Sequence, residues 1–567
     1  MKLHSLVASL EQPPLACYNG DDILDDSVEI TALAYDSRKV VPGGLFIAVP
    51  GAHTDGRLFV ADAAQRGAAA VIGEAPLADK SAMGAINRPL RNPGGGDVSG
   101  GGAINRPLPY IEVRDVRIAL ANLACAFYDY PAQHLCTIGV TGTDGKTTTA
   151  TLIAAILEAA GRPTGLMTTA NFKIRGQEWE NATRQSTLEA LEIQQLLRRM
   201  LDAGVNYAVI EATSHGLELQ RVRGCDFDVG VVTNITHEHL DFHKTIENYR
   251  RAKARLFEML DPARTKSFVN GHPQTGQAQD PHSSTAQPAS TTQQALTRPP
   301  VPTFHPVQPI AILNRDDVSY EVLKSYCRVP IVDYGIDSNA SVHAVDLQPG
   351  ATRTRFRVVL PNAEVSIETQ LIGRFNVSNC LAAIATAYSQ GVQLADIARG
   401  LAGVTGVTGR MERIDEGQPF TVIVDYAHTP DSLEKVLAIL RPLTPGKLMV
   451  VFGSAGERDI QKRPMMGRIA AQRADFFVIT DEDPREENRE QILREIAKGA
   501  EAVGKREGRD FLCIADRTSA IATAFAHAQK GDTVLLAGKG HEQSIFIGKE
   551  KLPWDERQVA REQLRRI

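Results

Sequence analysis

Short apolar runs alternate with helix-periodic segments along most of the chain, and each run ends in a polar or glycine-rich cluster. Six runs show this best: HLCTIGV, YAVIEA, TVIVDY, LMVVFG, FFVIT and TVLLAG. Strands that alternate with helices predict α/β layers with a largely parallel sheet. Such sheets bind ligands beyond the carboxyl ends of their strands. We therefore expect the chemistry at 141–149, 211–215, 425–431, 454–463, 481–485 and 539–542.

Two segments break this alternation and are interpreted as insertions. Within 81–108, the heptapeptide GAINRPL occurs twice, at 84–90 and 102–108, around a glycine-rich stretch. Two copies are too few for a solenoid, so we interpret this segment as a low-complexity loop. The segment 271–308 is rich in Gln, Thr, Ser and Pro and carries few large apolar residues. It cannot bury enough surface to offset ordering entropy, and we predict disorder there.

Composition narrows the class of protein. The 567 residues are too many for a single core, and the net charge of −5 argues against a dedicated nucleic-acid binder. Seven cysteines show no metal-ligand spacing, which favours a reducing compartment. No run approaches the ~18 apolar residues of a membrane helix. We expect a cytoplasmic protein without membrane insertion, and a monomer.

The segment GVTGTDGKTTT, residues 139–149, predicts a phosphate-binding loop between a strand and a helix. Backbone N–H groups and the helix N-terminus would face the anion. Lys146 would reach the β- and γ-phosphates, and Thr147 would hold Mg²⁺. The longer common motif has glycine where Val140 stands, so the loop begins at Gly142 with the shorter G-x-x-G-K-T. An ordinary glycine-rich strand–helix turn is the alternative interpretation.

This shorter loop resembles the G-T-N-G-K-T-T of the Mur ligase family, which also includes folylpolyglutamate synthetases. Asp144 stands where the family usually has asparagine, and a carboxylate beside phosphates is repulsive unless it faces a cation. GRFNVSNC and DYAHTPDSLE also match family segments. The resemblance implies ATP contacts at Gly142, Thr143, Asp144, Gly145, Lys146, Thr147, Thr148, Asn376, Asn379, Arg410, Asp425 and His428.

Other segments resemble the family's substrate-binding motifs. YDSRKVVPGGLFIAVPG looks like its uridine-nucleotide domain, QSTLEALEIQQLL like T-T-P-E, and EATSHGLELQRV like E-V-S-S-H-A-L-x-x-x-R-V. Leu188 stands where the family usually has proline. The implied contacts to the UDP-linked substrate are Ser37, Arg38, Ser186, Thr187, Thr213, Ser214 and Arg221.

The candidate metal and catalytic residues come from three places. Glu211 ends an apolar strand near the phosphate loop, which suits Mg²⁺. The segment THEHLDFH resembles a family motif in which His239 is a metal ligand, although Glu238 replaces aspartate. Zinc is the alternative for these histidines, but no cysteines flank them. By resemblance alone, Lys253 is carbamylated and binds a second Mg²⁺. Lys146, Lys253 and His239 are the predicted catalytic residues.

The resemblance covers nearly the whole chain outside the two inserts and implies three α/β domains. We place a small uridine-nucleotide domain at 1–110, a central P-loop ATPase-like domain with a mostly parallel sheet at 111–408, and a Rossmann-like domain at 409–567. The resemblance is to members that add the third residue of the peptidoglycan stem peptide. ATP would convert the D-glutamate carboxylate of UDP-MurNAc-L-Ala-D-Glu to an acyl phosphate, which a diamino acid attacks.

Three other functions stay open at this point. A folylpolyglutamate synthetase would share the phosphate loop but would not explain the uridine-type N-terminal domain or DYAHTPDSLE. A P-loop motor or switch protein would hydrolyse ATP without an amino-acid acceptor. A non-catalytic nucleotide-binding homologue is suggested by Asp144, Leu188 and Glu238.

The segment VITDEDPREENREQ matches the part of the family that recognises the third amino acid. Ligases for meso-diaminopimelate typically have D-N-P-R there, with the arginine on the distal carboxylate. The predicted amino-acid contacts are Arg458, Glu482, Asp483, Arg485, Gly538 and Glu542. Asp483 adds a negative charge that favours a cation, and Arg485 would lose its receptor role if it paired with Asp483. We therefore expect lysine or ornithine slightly ahead of meso-diaminopimelate.

Overall fold

The computed structural model describes residues 1–18, 28–51, 54–74, 108–183, 185–236, 240–266, 268–269, 272–273, 307–350 and 353–567. The predicted inserts 81–108 and 271–308 lie outside these residues except for a few positions at their margins. Among the described residues, no helix combines the length and the apolarity that crossing a membrane requires.

The N-terminal part of the chain forms a five-stranded sheet in the order β1-β5-β4-β3-β2, parallel except for β1. Its elements are α1 (Leu3–Ala8), β1 (Ala16–Tyr18), β2 (Ala32–Ala34), β3 (Gly44–Ile47), α2 (Val60–Gln65), β4 (Ala70–Gly73), β5 (Tyr110–Glu112) and α3 (Val116–Phe127).

Helix α3 packs in the same hydrophobic core as β3, β4 and β5. The predicted boundary at residue 110 falls within β5, after its first residue, so we propose that the domain boundary follows α3.

The central part is an eleven-stranded sheet in the order β18-β17-β16-β15-β14-β11-β6-β10-β7-β8-β9. The strands from β16 to β7 are parallel, and an antiparallel pair flanks each side. The elements are β6 (Cys136–Thr141), α4 (Lys146–Ala159), β7 (Thr164–Met167), β8 (Asn171–Ile174), β9 (Gln177–Glu180), α5 (Ala190–Asp202), β10 (Tyr207–Glu211), α6 (Ser214–Glu218), β11 (Val229–Val232), α7 (Leu240–His243), α8 (Ile246–Glu258), β12 (Phe268–Val269), β13 (His272–Pro273), β14 (Ile310–Asn314), α9 (Tyr320–Tyr326), β15 (Ile331–Gly335), β16 (Val342–Pro349), β17 (Thr354–Leu360), β18 (Ala363–Thr369), α10 (Arg374–Ser389) and α11 (Leu394–Gly403).

The C-terminal part is a six-stranded sheet in the order β19-β20-β24-β21-β22-β23, parallel except for β19. Its elements are β19 (Glu412–Ile414), β20 (Thr421–Asp425), α12 (Pro430–Leu440), β21 (Leu448–Phe452), α13 (Lys462–Arg473), β22 (Phe476–Ile479), α14 (Arg489–Glu501), β23 (Phe511–Cys513), α15 (Arg517–His527), β24 (Thr533–Ala537), β25 (Ser544–Ile547), β26 (Glu550–Pro553) and α16 (Glu556–Leu564).

All six apolar runs singled out from the sequence are strands, which confirms the predicted α/β architecture. Strands β6 and β10 lie side by side in the central sheet, and β20, β24, β21 and β22 are consecutive in the C-terminal sheet. Every residue of β6 and β10 is buried, because helices cover both faces of a parallel sheet. The polar clusters that follow these strands therefore lie close together at the carboxyl ends of the strands in each sheet.

A buried ion pair fixes two of these strand ends in the C-terminal sheet. The guanidinium of Arg517 donates to both carboxylate oxygens of Glu556, and both side chains are fully buried. The same guanidinium donates to the carbonyl oxygens of Asp481, at 3.0 Å, and Ala537, at 2.8 Å. Those two carbonyls immediately precede Glu482 and Gly538, two of the predicted amino-acid contacts. Removing one partner of such a pair is strongly destabilising because a buried charge is left uncompensated.

Helix α12 begins with a capping box, and its removal gives a stability prediction. The Thr429 hydroxyl accepts from the backbone N–H of Ser432, and the Ser432 hydroxyl accepts from the backbone N–H of Thr429. We expect Thr429→Ala to lower the free energy of unfolding of the C-terminal domain by about 1 kcal/mol. Urea unfolding measures the loss. Thr429→Ser keeps the hydroxyl and should retain most of the stability, whereas equal losses in both variants would contradict a role for the cap.

Candidate active site

The phosphate loop follows β6 and is held in place by the end of β11. Thr143 donates its backbone N–H to the carbonyl of Asn234 at 2.7 Å, and Asp144 donates its own to the Asn234 side chain at 2.9 Å. Gly142 has φ +147°, and a Cβ there would lie 1.8 Å from the Thr233 hydroxyl oxygen. The loop can take this path only with glycine at that position, as the motif predicted.

Lys146 and Thr147 begin helix α4, where backbone N–H groups and the helix dipole favour an anion. The Lys146 amine folds back and donates to the Thr143 carbonyl oxygen at 2.7 Å. The Thr147 hydroxyl donates to a carboxylate oxygen of Glu211 at 2.9 Å, and both side chains are buried. Thr169 donates its backbone N–H and its hydroxyl to the same carboxylate. The structure therefore brings together the predicted phosphate lysine and two predicted magnesium ligands.

Thr147 and Glu211 fit magnesium because a hydroxyl and a carboxylate oxygen are hard donors. Among the described residues, no cluster of three or more His, Cys, Asp or Glu is arranged to hold a metal. His239, the predicted third ligand, lies outside the described residues, as does Glu238.

Lys253 reaches the phosphate loop from helix α8. Its side chain is almost fully buried, and its amine donates to the Gly142 carbonyl oxygen at 2.6 Å. The amine also lies 4.4 Å from the centroid of the Tyr249 ring, and the Tyr249 hydroxyl is 3.1 Å from that of Thr143. The sequence alone suggests a solvated helix lysine here, so the position of Lys253 agrees with the resemblance rather than with the helix pattern. Its carbamylation stays a prediction.

Asn376 and Asn379 lie on helix α10 against the phosphate loop. The Asn379 amide donates to the Asn376 side chain at 3.1 Å, and the Thr149 hydroxyl donates to the Asn379 oxygen at 3.3 Å. A Cβ at Gly145 would lie 2.3 Å from that same oxygen. Both asparagines therefore border the loop and the start of α4, and their contact with adenine stays a prediction.

Arg410, Asp425 and His428 lie together where the chain enters the C-terminal domain. The Asp425 carboxylate accepts backbone N–H bonds from Met411 and Ala427. Burial raises its pKa, and Arg410 opposes that shift. The guanidinium of Arg410 lies 4.9 Å from the centroid of the Tyr426 ring.

His541 extends this group and is held neutral by its surroundings. Its ring lies 4.9 Å from that of Tyr426. Burial, and then the cations around it, with Arg410 first, lower the pKa of His541 to about 3. Tyr426, His541 and Glu542 face Thr169 and Glu180 of the central domain across a cavity of about 170 Å³.

The predicted dipeptide-binding residues of the central domain lie next to Glu211. The Thr187 hydroxyl is 3.0 Å from that of Thr213 and donates to the Glu211 carbonyl at 3.0 Å. The Arg221 guanidinium donates to the Thr187 carbonyl and pairs with Glu189 at 2.7 Å. The Ser214 hydroxyl is buried and finds no partner among the described residues. Four of the five predicted residues in this segment thus share one site beside the candidate metal ligands.

The remaining predicted substrate residues are Ser186 of the central domain and Ser37 and Arg38 of the N-terminal domain. Ser186 immediately precedes Thr187, and Leu188 is buried in the hydrophobic core of the central domain. Ser37 and Arg38 form a short 3-10 turn of the N-terminal domain. Arg38 pairs with Asp36 at 2.8 Å and is largely exposed.

Two of the predicted amino-acid residues of the C-terminal domain, Asp483 and Glu542, pair with a buried lysine that the sequence analysis does not assign. Lys539 is fully buried and pairs with Asp483 at 2.9 Å and with Glu542 at 2.6 Å. Its amine also donates to the carbonyl oxygen of Ser544 at 2.7 Å. Lys539 lies in the predicted segment 539–542, but the resemblance implies amino-acid contacts only from Gly538 and Glu542 around it. Lys539, just beyond the carboxyl end of β24, therefore neutralises Asp483, which follows the carboxyl end of β22.

Arg485 does not pair with Asp483. The pairing that would prevent Arg485 from binding a carboxylate of the substrate is therefore not formed. Its guanidinium lies 3.8 Å from the Glu457 carboxylate and 5.8 Å from the Phe546 ring centroid. Its Nε is buried and has no hydrogen-bond partner among the described residues, and the same holds for one carboxylate oxygen of Glu482. Arg458 is exposed. Gly538 adjoins Glu482, whose side chain would lie 3.5 Å from a Cβ at position 538.

Comparisons with known proteins place the chain in one family. Family models match at residues 29–128 (Mur ligase family, catalytic domain), 140–289 and 303–387 (Mur ligase middle domain), and 409–540 (Mur ligase, glutamate ligase domain). A relative from Roseiflexus sp. (strain RS-1), named UDP-N-acetylmuramyl-tripeptide synthetase, is 44% identical over 100% of this chain and 99% of its own length. The chain belongs to the Mur ligase family.

Other Mur ligases support the same assignment. A Geobacillus kaustophilus protein named UDP-N-acetylmuramoyl-L-alanyl-D-glutamate--2,6-diaminopimelate ligase is 39% identical over 94% of both chains. A solved structure with the same name has 29% identity and a TM-score of 0.58 over 95% of both chains. The protein is an ATP-dependent ligase of the Mur family, which confirms the predicted fold and enzyme class.

Proposed function

We propose that this Mur ligase joins meso-diaminopimelate to the D-glutamate carboxylate of UDP-MurNAc-L-Ala-D-Glu, in peptidoglycan synthesis. The names of the relatives from Roseiflexus and Geobacillus support the reaction and the nucleotide-linked acceptor. The observation that carries the choice of amino acid is the Lys539 ion pair with Asp483. It replaces our slight preference for lysine or ornithine, which depended on the negative charge that Asp483 adds and on a pairing of Arg485 with Asp483.

The charges of the pocket favour an amino-acid substrate whose distal end carries both a carboxylate and an ammonium group. The buried ammonium of Lys539 lies 2.9 Å from a carboxylate oxygen of Asp483 and 2.6 Å from one of Glu542. It therefore neutralises both carboxylates, which leaves them less able to bind a cation of the substrate. One acceptor atom of Glu482 and the Nε of Arg485 stay buried without partners among the described residues. Buried polar atoms normally find a hydrogen bond, so a ligand that supplies both an ammonium and a carboxylate fits. The distal end of meso-diaminopimelate has both groups, whereas lysine and ornithine have only the ammonium.

The proposed mechanism uses the protein mainly to position reactants and to neutralise charge. Lys146 and the N-terminus of α4 hold the ATP phosphates while the γ-phosphoryl group passes to the D-glutamate carboxylate. Thr147 and Glu211 would hold Mg²⁺, which supplies charge neutralisation at the transferring phosphoryl group. Thr187, Thr213 and Arg221 orient the acceptor. The amine of the diamino acid then attacks the acyl phosphate, and inorganic phosphate leaves from the tetrahedral intermediate.

Further parts of the proposal rest on the family alone. We propose a second Mg²⁺ bound by carbamylated Lys253 and His239, and a monomeric enzyme acting in the cytoplasm. All seven cysteines are free thiols, which supports a reducing compartment. Sedimentation velocity tests the monomer, and mass spectrometry of the intact protein tests the carbamate.

The test is a comparison of amino-acid acceptors with UDP-MurNAc-L-Ala-D-Glu and ATP. We expect kcat/KM for meso-diaminopimelate to exceed those for lysine and ornithine by at least about 30-fold, because the last two offer no distal carboxylate to the Arg485 guanidinium. Similar values for lysine and meso-diaminopimelate would overturn the assigned acceptor. Phosphate release that ignored every diamino acid would overturn the ligase reaction, and release with tetrahydrofolate and glutamate would favour the folylpolyglutamate alternative.

A further inference from the structure

One ion pair joins the phosphate loop of the central domain to the C-terminal domain. The amine of Lys435, on helix α12, lies 3.0 Å from the carboxylate of Asp144. The same amine lies 2.6 Å from Asp431, one turn earlier on its own helix. The residues of this bridge are 291 positions apart in the chain, so the contact exists only when the two domains are packed together.

Asp144 is a fixed point on the loop. Its backbone N–H donates to Asn234, and its carbonyl oxygen accepts from the Thr233 hydroxyl at 2.6 Å. The side chain of Asp144 contacts the C-terminal domain, through Lys435. Lys435 is equally constrained, because Asp431 at one helical turn holds the ammonium toward the loop.

The position of Asp144 creates a charge problem that Lys435 solves. Asp144 immediately precedes Gly145 and Lys146, where α4 begins and where the ATP phosphates are proposed to bind. A carboxylate there repels the phosphates unless a cation faces it. Within the part of the chain that the structure describes, Lys435 is the cation that pairs with the Asp144 carboxylate. Losing it would leave Asp144 and Asp431 uncompensated at the nucleotide site.

We propose that Lys435 is a positioning residue for the ligase reaction, which neutralises Asp144 and thereby ties the C-terminal domain to the nucleotide site. The inference rests on the proposed role of the phosphate loop in binding ATP. The pair persists when the nucleotide binds, so ATP affinity depends on the position of the C-terminal domain. The contribution is moderate, because both side chains are partly exposed and water and salt screen their charges.

A double-mutant cycle on Asp144 and Lys435 tests the proposal. We expect Lys435→Gln to raise the KM for ATP about fivefold, the upper range for an exposed ion pair, with little change in kcat. Asp144→Asn should lower that KM, because it removes a negative charge beside the phosphates. When Lys435→Gln is added to Asp144→Asn, it should then change the KM less than about twofold. Lys435→Arg should keep a value near that of the wild type.

Controls separate this inference from the proposed function. Arg473→Gln removes a comparably exposed ion pair of α12, with Glu434, within the C-terminal domain and should leave the KM unchanged. Titration of a non-hydrolysable ATP analogue with Mg²⁺ measures affinity without the chemical step, so it tests the ion pair even if no ligation occurs. An effect of Lys435→Gln that is the same with and without Asp144→Asn, or that is absent, overturns the proposal. The difference between Lys435→Gln and wild type should shrink as salt rises.

Discussion

Replacing Lys146 with methionine is expected to lower kcat for amino-acid-dependent phosphate release about a hundred- to thousandfold. The Lys146 ammonium lies at the start of α4, within the phosphate loop, where it donates to the Thr143 carbonyl. Phosphoryl transfer spreads negative charge over the transferring group, and removing one positioned donor from such a site typically costs about 10²–10³ in rate. Methionine keeps most of the volume and removes the charge. A coupled assay for phosphate, at saturating concentrations of all three substrates, measures the loss.

The control is a lysine outside the proposed site. Lys324 lies on α9 and pairs only weakly with Glu321, at 3.9 Å. Lys324→Met should keep kcat within about twofold of wild type, because exposed ion pairs contribute little. Circular dichroism should show both variants folded. A kcat for Lys146→Met within about threefold of wild type would contradict the role of the loop as the phosphate site and would favour an ordinary strand–helix turn.

The sequence was sufficient to predict the strand ends at which the site forms. Thr147 and Glu211 are 64 positions apart, yet their side chains meet at 2.9 Å. They meet because Glu211 ends β10, Thr147 begins the helix after the loop that follows β6, and β6 and β10 are parallel neighbours in the sheet. Strand ends and helix starts are local features with strong composition signals, so patterning predicts them well.

The pattern of apolar and polar residues could not predict ion pairs between residues that are distant in the chain. Asp144 departs from the family motif, and the sequence does not show the cation that faces it, because that cation belongs to a helix of another domain. The sequence likewise does not show the role of Lys539, although this residue lies in the predicted segment 539–542. A lysine in a glycine-rich turn gives no local sign that it will be fully buried between two carboxylates. Such pairings depend on tertiary packing, which local propensity and periodicity do not encode.

In the amino-acid pocket, the expected acceptor depends on whether Arg485 pairs with Asp483. An aspartate beside an arginine on the same short segment suggests that the two charges cancel each other. In the structure, the backbone of Arg485 is left-handed, with φ +56°, and its guanidinium is directed toward Glu457 and Phe546. Asp483 is satisfied by Lys539 and by the backbone N–H of Phe546. The arginine therefore stays free of Asp483 and can bind a carboxylate of the substrate.

Replacing Arg485 with alanine is accordingly expected to change the acceptor preference of the enzyme. We expect kcat/KM for meso-diaminopimelate to fall about 30-fold to several-thousand-fold, which corresponds to the ~2–5 kcal/mol cost of removing one partner of a buried charge pair. The kcat/KM for lysine should change less than about threefold, because lysine has no distal carboxylate. Arg485→Lys should give an intermediate value for meso-diaminopimelate, since an ammonium keeps the charge but lacks the bidentate geometry.

Lys549→Ala is the matched control for the loss of one positive charge near the pocket. Lys549 is highly exposed and lies 3.4 Å from Glu486, next to Arg485 in the chain. We expect its removal to leave both kcat/KM values unchanged, because a solvated surface charge contributes little to binding. If Arg485→Ala reduced activity with lysine and meso-diaminopimelate equally, Arg485 would be supporting the fold of the pocket. If neither value changed, the carboxylate receptor would lie elsewhere, and the buried Nε of Arg485 would need another partner.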